Sequence, residues 1–331
     1  ARKSQIAENI EDADNKREES DLIILVGTNP RYEATILNAR IRKAYLKNKT
    51  KIYSFGNAGD LTYPYDILDN STNEIKKVFD NSSVLSEKII KSKKPIVIIG
   101  QSTLRLKSSN FIFEEFKKYL IEKNKISEEW NSLNVLSNDA STVGSYDLKV
   151  VDLNPGENKT MKIINNNEFD LLFLVGQDNL KINKKNEFII YIGSHGDRGA
   201  EIADVVLPGA AYTEQDGHFT NLEGKIQKAY KASYPPGDSK EDWSVFNELS
   251  LLLKRKKLFN NKDELLDNMM NFLKLNKKNN FKKFNDAEFI DEKINTDILD
   301  YYYSNAISRS SKTMTDCRND KMNIKKTGTE G

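Results

Sequence analysis

The chain has 331 residues, with 51 Lys plus Arg against 49 Asp plus Glu and a formal net charge of +2. That balance gives no global electrostatic reason to expect a nucleic-acid or anionic-membrane partner, and aromatic residues at 9% argue against wholesale disorder. The single cysteine, Cys317, closes no internal disulfide and falls short of the about four ligands that an iron–sulfur cluster or a Cys-rich zinc site needs.

The composition reads as a soluble protein of a reducing compartment with little redox equipment of its own. The apolar runs are too short to span a bilayer, and no charged-then-apolar presequence opens the chain. The opening Ala1 reads as processing, trimming or a fragment. With 36 Asn and 41 Lys against 10 Arg, the bias is that of an AT-rich coding genome rather than of a binding surface.

Residues 1–20 are charged and read as an arm. Four later segments share one theme of apolar run, glycine and polar turn: 21–29 (DLIILVGTN), 95–103 (PIVIIGQST), 171–179 (LLFLVGQDN) and 188–196 (FIIYIGSHG). Uninterrupted Ile/Val/Leu runs are the pattern of strands buried on both faces. Thr28, Asn29, Ser102 and Thr103 are placed to cap following helices. Between the runs, Leu37, Ile41, Ala44 and Tyr45 make one helical face, and Ile112, Phe116 and Leu120 another. After Pro235-Pro236-Gly237, a further helix is marked by Trp243, Phe246, Leu249, Leu252 and Leu253. The fold class is therefore α/β: two αβα lobes with parallel sheets, at 21–150 and 151–258. Residues 259–331 read as a Lys/Asn-rich insertion, with a short amphipathic helix through Leu265, Leu266, Met269, Met270 and Phe272, and a C-terminal docking tail around Tyr301–Tyr303.

Chemistry is sparse. The turns after Gly27, Gly100 and Gly176 lie where open α/β sheets bind ligands, yet none has the G-x-G-x-x-G spacing and no P-loop is present. The densest polar block, 193–224, holds six glycines, one proline and the candidate metal ligands His195, Asp197, Glu201, Asp204, Glu214, Asp216 and His218. No spacing among these fixes two ligands on one helical face. A G-x-S-x-G elbow, which would bring a serine to His195 or His218, is missing. Asp197-Arg198 and Glu241-Asp242 look like local ion pairs or caps, and the basic runs Lys254–Lys257 and Lys277–Lys283 like solvated faces.

Several long segments resemble the large iron–sulfur subunit of respiratory complex I. They are VGTNPRYEATILNARIRKAYL (26–46), DLTYPYDIL (60–68), KKPIVIIGQSTL (93–104) and EWNSLNVLSNDASTVGSYDL (129–148). GSHGDRGAEIADVVLPGAAYTEQDGHFTNLEGKIQKA (193–229), PPGDSKEDW (235–243) and NAISRSSKTMTDC (305–317) follow in order. The resemblance, covering about 21–317, implies a degenerate molybdopterin-oxidoreductase fold in the NADH-oxidising arm on the matrix side of the mitochondrial inner membrane. It implies a non-catalytic structural role, with no catalytic residue, no bound metal and no cofactor in this chain. Iron–sulfur clusters and FMN are expected in partner subunits: a separate Cys-rich, cluster-bearing chain and the other peripheral-arm subunits. A vestigial pterin-facing block would include Gly193, His195, Gly196, Asp204, Pro208 and Gly209. The chain departs from the family in lacking the Cys-rich N-terminal region and in its residues 15–20, which read as a local insertion. Two other readings remain open at this point: an active molybdopterin-dependent module of formate-dehydrogenase type, and a free-standing nucleotide-binding α/β module.

Overall fold

The computed structural model describes residues 19–127, 129–150, 159–178, 180–222, 224–275, 287–296 and 300–323; the arm at 1–18 and the basic run Lys277–Lys283 lie outside them. The described residues fall into two units. The first takes its residues from Ala1–Glu157, Phe219–Gln227 and Met269–Ile298, the second from Asn158–His218, Lys228–Asn268 and Leu299–Gly331. The described part of the 259–331 stretch thus divides between them, 287–296 with the first and 300–323 with the second.

The first unit is built on a parallel sheet of β1 (Leu22–Val26), β2 (Lys51–Phe55), β3 (Asp66–Leu68), β4 (Pro95–Ile99) and β5 (Leu133–Val135), in the order β3-β2-β1-β4-β5. The order reverses direction between β1 and β4, the switch point of a doubly wound sheet. Every residue of β1 and β4 is buried, as their unbroken apolar composition predicts. Alternate side chains divide between two cores. Ile24, Val26, Phe55, Val97 and Ile99 face α3 (Thr72–Phe79), α4 (Val84–Lys91) and α6 (Ser109–Glu122). Ile23, Leu25, Ile52, Ile96 and Ile98 face α2 (Thr35–Asn48). Helix α2 follows a single turn, α1 (Pro30–Glu33), buries Leu37, Ile41 and Ala44, and stops at Lys49 in the left-handed region. Helix α6 buries Ile112, Phe116 and Leu120. A short helix α5 (Gln101–Leu104) follows β4, and α7 (Thr142–Asp147) follows β5.

The second unit contains α8 (Lys159–Asn166), β6 (Leu171–Val175), β7 (Phe188–Gly193), α9 (Arg198–Glu201) and β8 (Val205–Pro208). Strands β6, β7 and β8 form a parallel sheet in that order. Further along the chain, a hairpin of β9 (Gly217–Thr220) and β10 (Ile226–Ala229) precedes α10 (Asp242–Leu252) and α11 (Lys262–Leu275). At the C-terminal side come a 3-10 turn at Tyr301–Tyr303, α12 (Ala306–Ser310) and α13 (Lys312–Asn323). Leu172, Leu174, Ile189 and Tyr191 pack with Ile164 of α8 into one core. Two expectations fail here. Strand β6 is not buried on both faces, since Leu171 and Val175 are exposed. Helix α10 sets Phe246 against Phe173, with ring centroids 5.8 Å apart, but leaves Leu252 and Leu253 exposed, because its last turn runs past the sheet residues that the helix covers.

Asp21, just before β1, ties the sheet's amino edge to the chain entering β4. Its carboxylate accepts hydrogen bonds from the Ser92 hydroxyl and from the amides of Lys93 (2.7 Å) and Lys94 (3.0 Å). Partial burial pushes its pKa up, and those three donors overcome that push and hold it below the usual carboxylate range. A carboxyl depressed on folding stabilises the fold above its unfolded pKa, and that contribution is lost as pH falls through the folded value. Asp21→Asn is therefore expected to lower unfolding stability by about 1 kcal/mol at neutral pH, a solvent-screened charged hydrogen bond. The gap to the unsubstituted chain should close below about pH 4, as read from urea titrations across pH.

Candidate functional site

In a doubly wound sheet, ligands bind at the carboxyl ends of the strands beside the switch point, so the turns after β1 and β4 are the first place to look. Asn29 caps α1 by accepting from the amides of Arg31 (3.0 Å) and Tyr32 (3.3 Å). The Glu33 carboxylate reaches back to the Asn29 amide (3.0 Å) and the Thr28 hydroxyl (2.8 Å). An anion therefore already sits on this turn, and it belongs to the chain. Thr103 does not cap a helix; its hydroxyl donates to the Val26 carbonyl (3.0 Å) and draws the β4 turn against the β1 turn. The two turns touch so closely that a Cβ on Gly100 would lie 2.3 Å from the Gly27 carbonyl oxygen.

A strap formed by residues 290–294 closes the rest of this edge. Ile294 is 2% exposed, and its amide donates to the Asn70 carbonyl (2.6 Å). Its side chain stands 3.1 Å from where a Cβ of Gly27 would be, and its carbonyl 3.1 Å from that of Gly56. The Glu292 carboxylate accepts from the Ser108 amide (2.9 Å) at the start of α6. The Glu292 amide donates to the Thr72 hydroxyl (2.8 Å), and the Thr72 amide to the Glu292 carbonyl (2.9 Å). Sequence reasoning missed Glu33, Glu292 and Ile294, because the strap lies in a Lys/Asn/Asp-rich stretch that carries no motif.

The same unit has a groove of about 450 Å³ beside α2 and the chain after β5, lined by Leu37, Asn138, Val143, Phe219 and Leu222 among others. Its described lining includes the acids Glu33 and Asp139 and no Lys or Arg. It offers no cation to an anionic ligand.

In the second unit, Gly193, His195, Gly196, Asp204, Pro208 and Gly209 lie along and just beyond β7 and β8. Gly193 pairs with Pro208, and the Gly209 amide donates to the Gly193 carbonyl (2.9 Å). A Cβ on Gly193 would meet the Tyr191 hydroxyl at 2.1 Å, and one on Gly199 the Gln177 carbonyl at 2.5 Å. Both glycines thus make room for the chain's own atoms. His195 is exposed, its Nδ1 2.8 Å from the hydroxyl of its neighbour Ser194. Asp204 is a strand clamp: its carboxylate takes the Lys184 ammonium (2.6 Å) and the Ile189 amide (2.7 Å). These two partners, the lysine foremost, hold its pKa below the usual range. Glu214 accepts from the Ala211 amide (3.0 Å), and Asp216 from the Lys231 amide (2.9 Å). The carboxylates thus answer to separate partners. Among the described residues, no three His, Cys, Asp or Glu side chains gather in a metal-binding group.

The polar cluster the unit does build was not foreseen. Tyr191, 1% exposed, donates through its hydroxyl to Asp178. Burial first, and then the Asp178 carboxylate, push the phenol pKa well above its ordinary value. Arg309 of α12 reaches Asp197 through Nε (2.9 Å) and Asp178 through Nη2 (3.4 Å). Asp197 has φ +75 and, through its other oxygen, caps the amide of Arg198 (2.9 Å). Arg309 therefore anchors the C-terminal tail to the ends of β6 and β7. A planar fork bridging two carboxylates is what Lys cannot reproduce.

Two substitutions separate these closures. Ile294→Ala is expected to lower stability by about 2–4 kcal/mol, the range for truncating a buried aliphatic chain, measured by chemical denaturation. Arg309→Ala, which leaves Asp178 without its counter-charge, should cost about 2–3 kcal/mol and speed proteolysis within residues 300–323, and Arg309→Lys should not restore the unsubstituted rate.

Comparison with known proteins places these features. Residues 4–251 match the molybdopterin oxidoreductase family, and residues 272–317 match a C-terminal family of NADH-ubiquinone oxidoreductase. The chain is 38% identical over 316 residues to the NADH-ubiquinone oxidoreductase 75 kDa subunit of Reclinomonas americana, covering 91% of this chain and 45% of that one. It is 32% identical over 320 residues to the mitochondrial NADH-ubiquinone oxidoreductase 78 kDa subunit of Candida albicans, covering 91% and 43%. With the corresponding 78 kDa subunit of Neurospora crassa it shares 33% over 319 residues, covering 91% and 42%. The chain thus spans less than half the length of these relatives. With a match running over most of its length and two parallel α/β sheets beneath it, the chain belongs to the molybdopterin oxidoreductase family.

Proposed function

We propose that this chain is a non-catalytic structural part of the peripheral arm of respiratory complex I, on the matrix side of the mitochondrial inner membrane. In this reading it is the cluster-free portion of the large iron–sulfur subunit. The Cys-rich portion with its clusters is a separate polypeptide, and FMN belongs to another partner. The observation that carries the reading is the match along 91% of the chain to subunits named for NADH–ubiquinone oxidoreductase. Among the described residues, no helix is long and apolar enough to cross a membrane, which agrees with a peripheral position.

The described residues do not fit a bound pterin. The block around Gly193 and Gly209 is filled by Tyr191 and by its own strand pairing. The carboxyl edge of the first sheet is filled by Ile294, and two of its helix starts hold the carboxylates of Glu33 and Glu292. An anionic cofactor would have to displace like charge and buried apolar side chain together. This supports a scaffold over an active formate-dehydrogenase-type module, and equally over a nucleotide-binding one.

The reading predicts that the chain co-migrates with NADH dehydrogenase activity on a native gel, together with a Cys-rich polypeptide. Separated from that partner, it should show no iron–sulfur absorbance and no molybdenum by elemental analysis. Recovery of the chain only outside the active band sinks the proposal, and stoichiometric molybdenum favours the catalytic alternative.

A further inference from the structure

The second unit's sheet is unfinished. Its register sets Leu171 beside Phe188 and Ile190 beside Val205, so Leu171, Phe173, Val175, Phe188, Ile190 and Val205 share one face. Phe246 covers Phe173, but Leu171, Phe188, Val175 and Val205 are 51, 46, 39 and 36% exposed. Parallel sheets occur almost only with both faces covered, as the first unit demonstrates. The strand order adds a second irregularity. The first sheet extends to both sides of its switch point, whereas the second runs β6-β7-β8 in one direction only, which is one half of a doubly wound sheet. The missing half of such a sheet would pair with its first strand. Among the described residues no strand pairs with the outer edge of β6. Strand β8, by contrast, continues at its carboxyl end into a parallel bridge between Gly209 and Lys240.

We propose that the outer edge of β6 and the apolar face around Leu171 and Phe188 are the docking surface for the cluster-bearing chain, which adds a parallel strand beside β6 and lays a helix over that face. The inference rests on the reading of this chain as one part of a divided subunit. The occupant follows from length: the relatives are more than twice as long as the stretch they share with this chain, and a strand–helix segment of that remainder is what completes the half-sheet. Recognition would be by main-chain hydrogen bonds along β6 and by apolar burial. The Gly176 amide bonds back to Ile192 of β7, so by the alternation of a parallel ladder the amides of Phe173 and Val175 point to the outer edge.

The test places a photo-crosslinking residue at position 171 or 188 in the chain assembled in its native complex. Crosslinks into the Cys-rich polypeptide are expected. Crosslinks to a second copy, to another subunit or to solvent products alone overturn the docking surface. In parallel, Leu171→Lys with Val205→Lys should reduce co-purification of the Cys-rich chain by about tenfold or more, while Val84→Lys, an exposed apolar site on the first unit, leaves it unchanged. Hydrogen exchange at Phe173 and Val175 should slow on assembly, a readout that does not depend on the lysine variants folding. If the unsubstituted chain never associates with a Cys-rich polypeptide, the divided-subunit reading itself fails. If it associates but neither the crosslinks nor the exchange fall on β6, only the surface is wrong.

Discussion

A parallel sheet of uninterrupted apolar strands loses its stability if either face meets water, because each exposed aliphatic side chain forgoes about 1.5–3 kcal/mol of burial. The first unit meets that constraint entirely from its own sequence. Strands β1 and β4 send alternate residues into two separate cores, and each core has its own helices. That arrangement fixes everything laid on top of it. The helices begin where the strands end, so their amide-rich starts converge on one edge of the sheet, and that edge must then be dealt with.

The chain deals with it by substitution of its own groups for a ligand's. Glu33 and Glu292 bring carboxylates to two helix starts, and Ile294 brings an aliphatic plug to the gap between them. The charge complementarity that attracts phosphates to such an edge is thereby consumed internally. The strap that carries two of these groups lies within the residues that match the NADH-ubiquinone oxidoreductase C-terminal family, so a segment outside the molybdopterin match seals the edge where a cofactor would enter. A fold that evolved around a ligand can keep its geometry without one only if some group takes over the ligand's contacts.

All four runs of apolar residues ending in glycine became strands, and the helical faces of α2 and α6 were legible from Leu37, Ile41, Ile112 and Phe116, because 2- and 3.6-residue periodicities are local. Strand β2 carries the same theme in KIYSFG but was hidden by Ser54, a buried polar residue inside the run. The closure of the first sheet was not legible at all. Ile294 meets Gly27 and Gly56 across more than two hundred residues, and nothing in a Lys/Asn-rich context announces which isoleucine will be buried. The Arg309 anchor was hidden in the same way, since its carboxylate partners, Asp178 and Asp197, lie more than a hundred positions earlier. The block around Gly193 was visible as a dense polar motif. What the motif could not reveal was direction: Gly193 and Gly199 turn toward the chain's own Tyr191 and Gln177, as the close packing of a scaffold requires.

Division of a subunit changes the physics of its interior. Two halves joined by a chain meet at an effective concentration of about millimolar, whereas separate polypeptides must find each other at cellular dilution and bear the loss of translational freedom. A surface that was core in an undivided protein is well suited to this, because it is large, apolar and strand-edged. It is also hazardous while unpartnered, for a free β edge flanked by Leu171 and Phe188 is a template for self-association. The chain's surroundings blunt that hazard: Lys181, Lys184 and Lys185 enter β7 from a charged loop, and β6 is only five residues long. A short, lysine-flanked edge tolerates waiting for its partner, whereas a long bare one would pair with itself first.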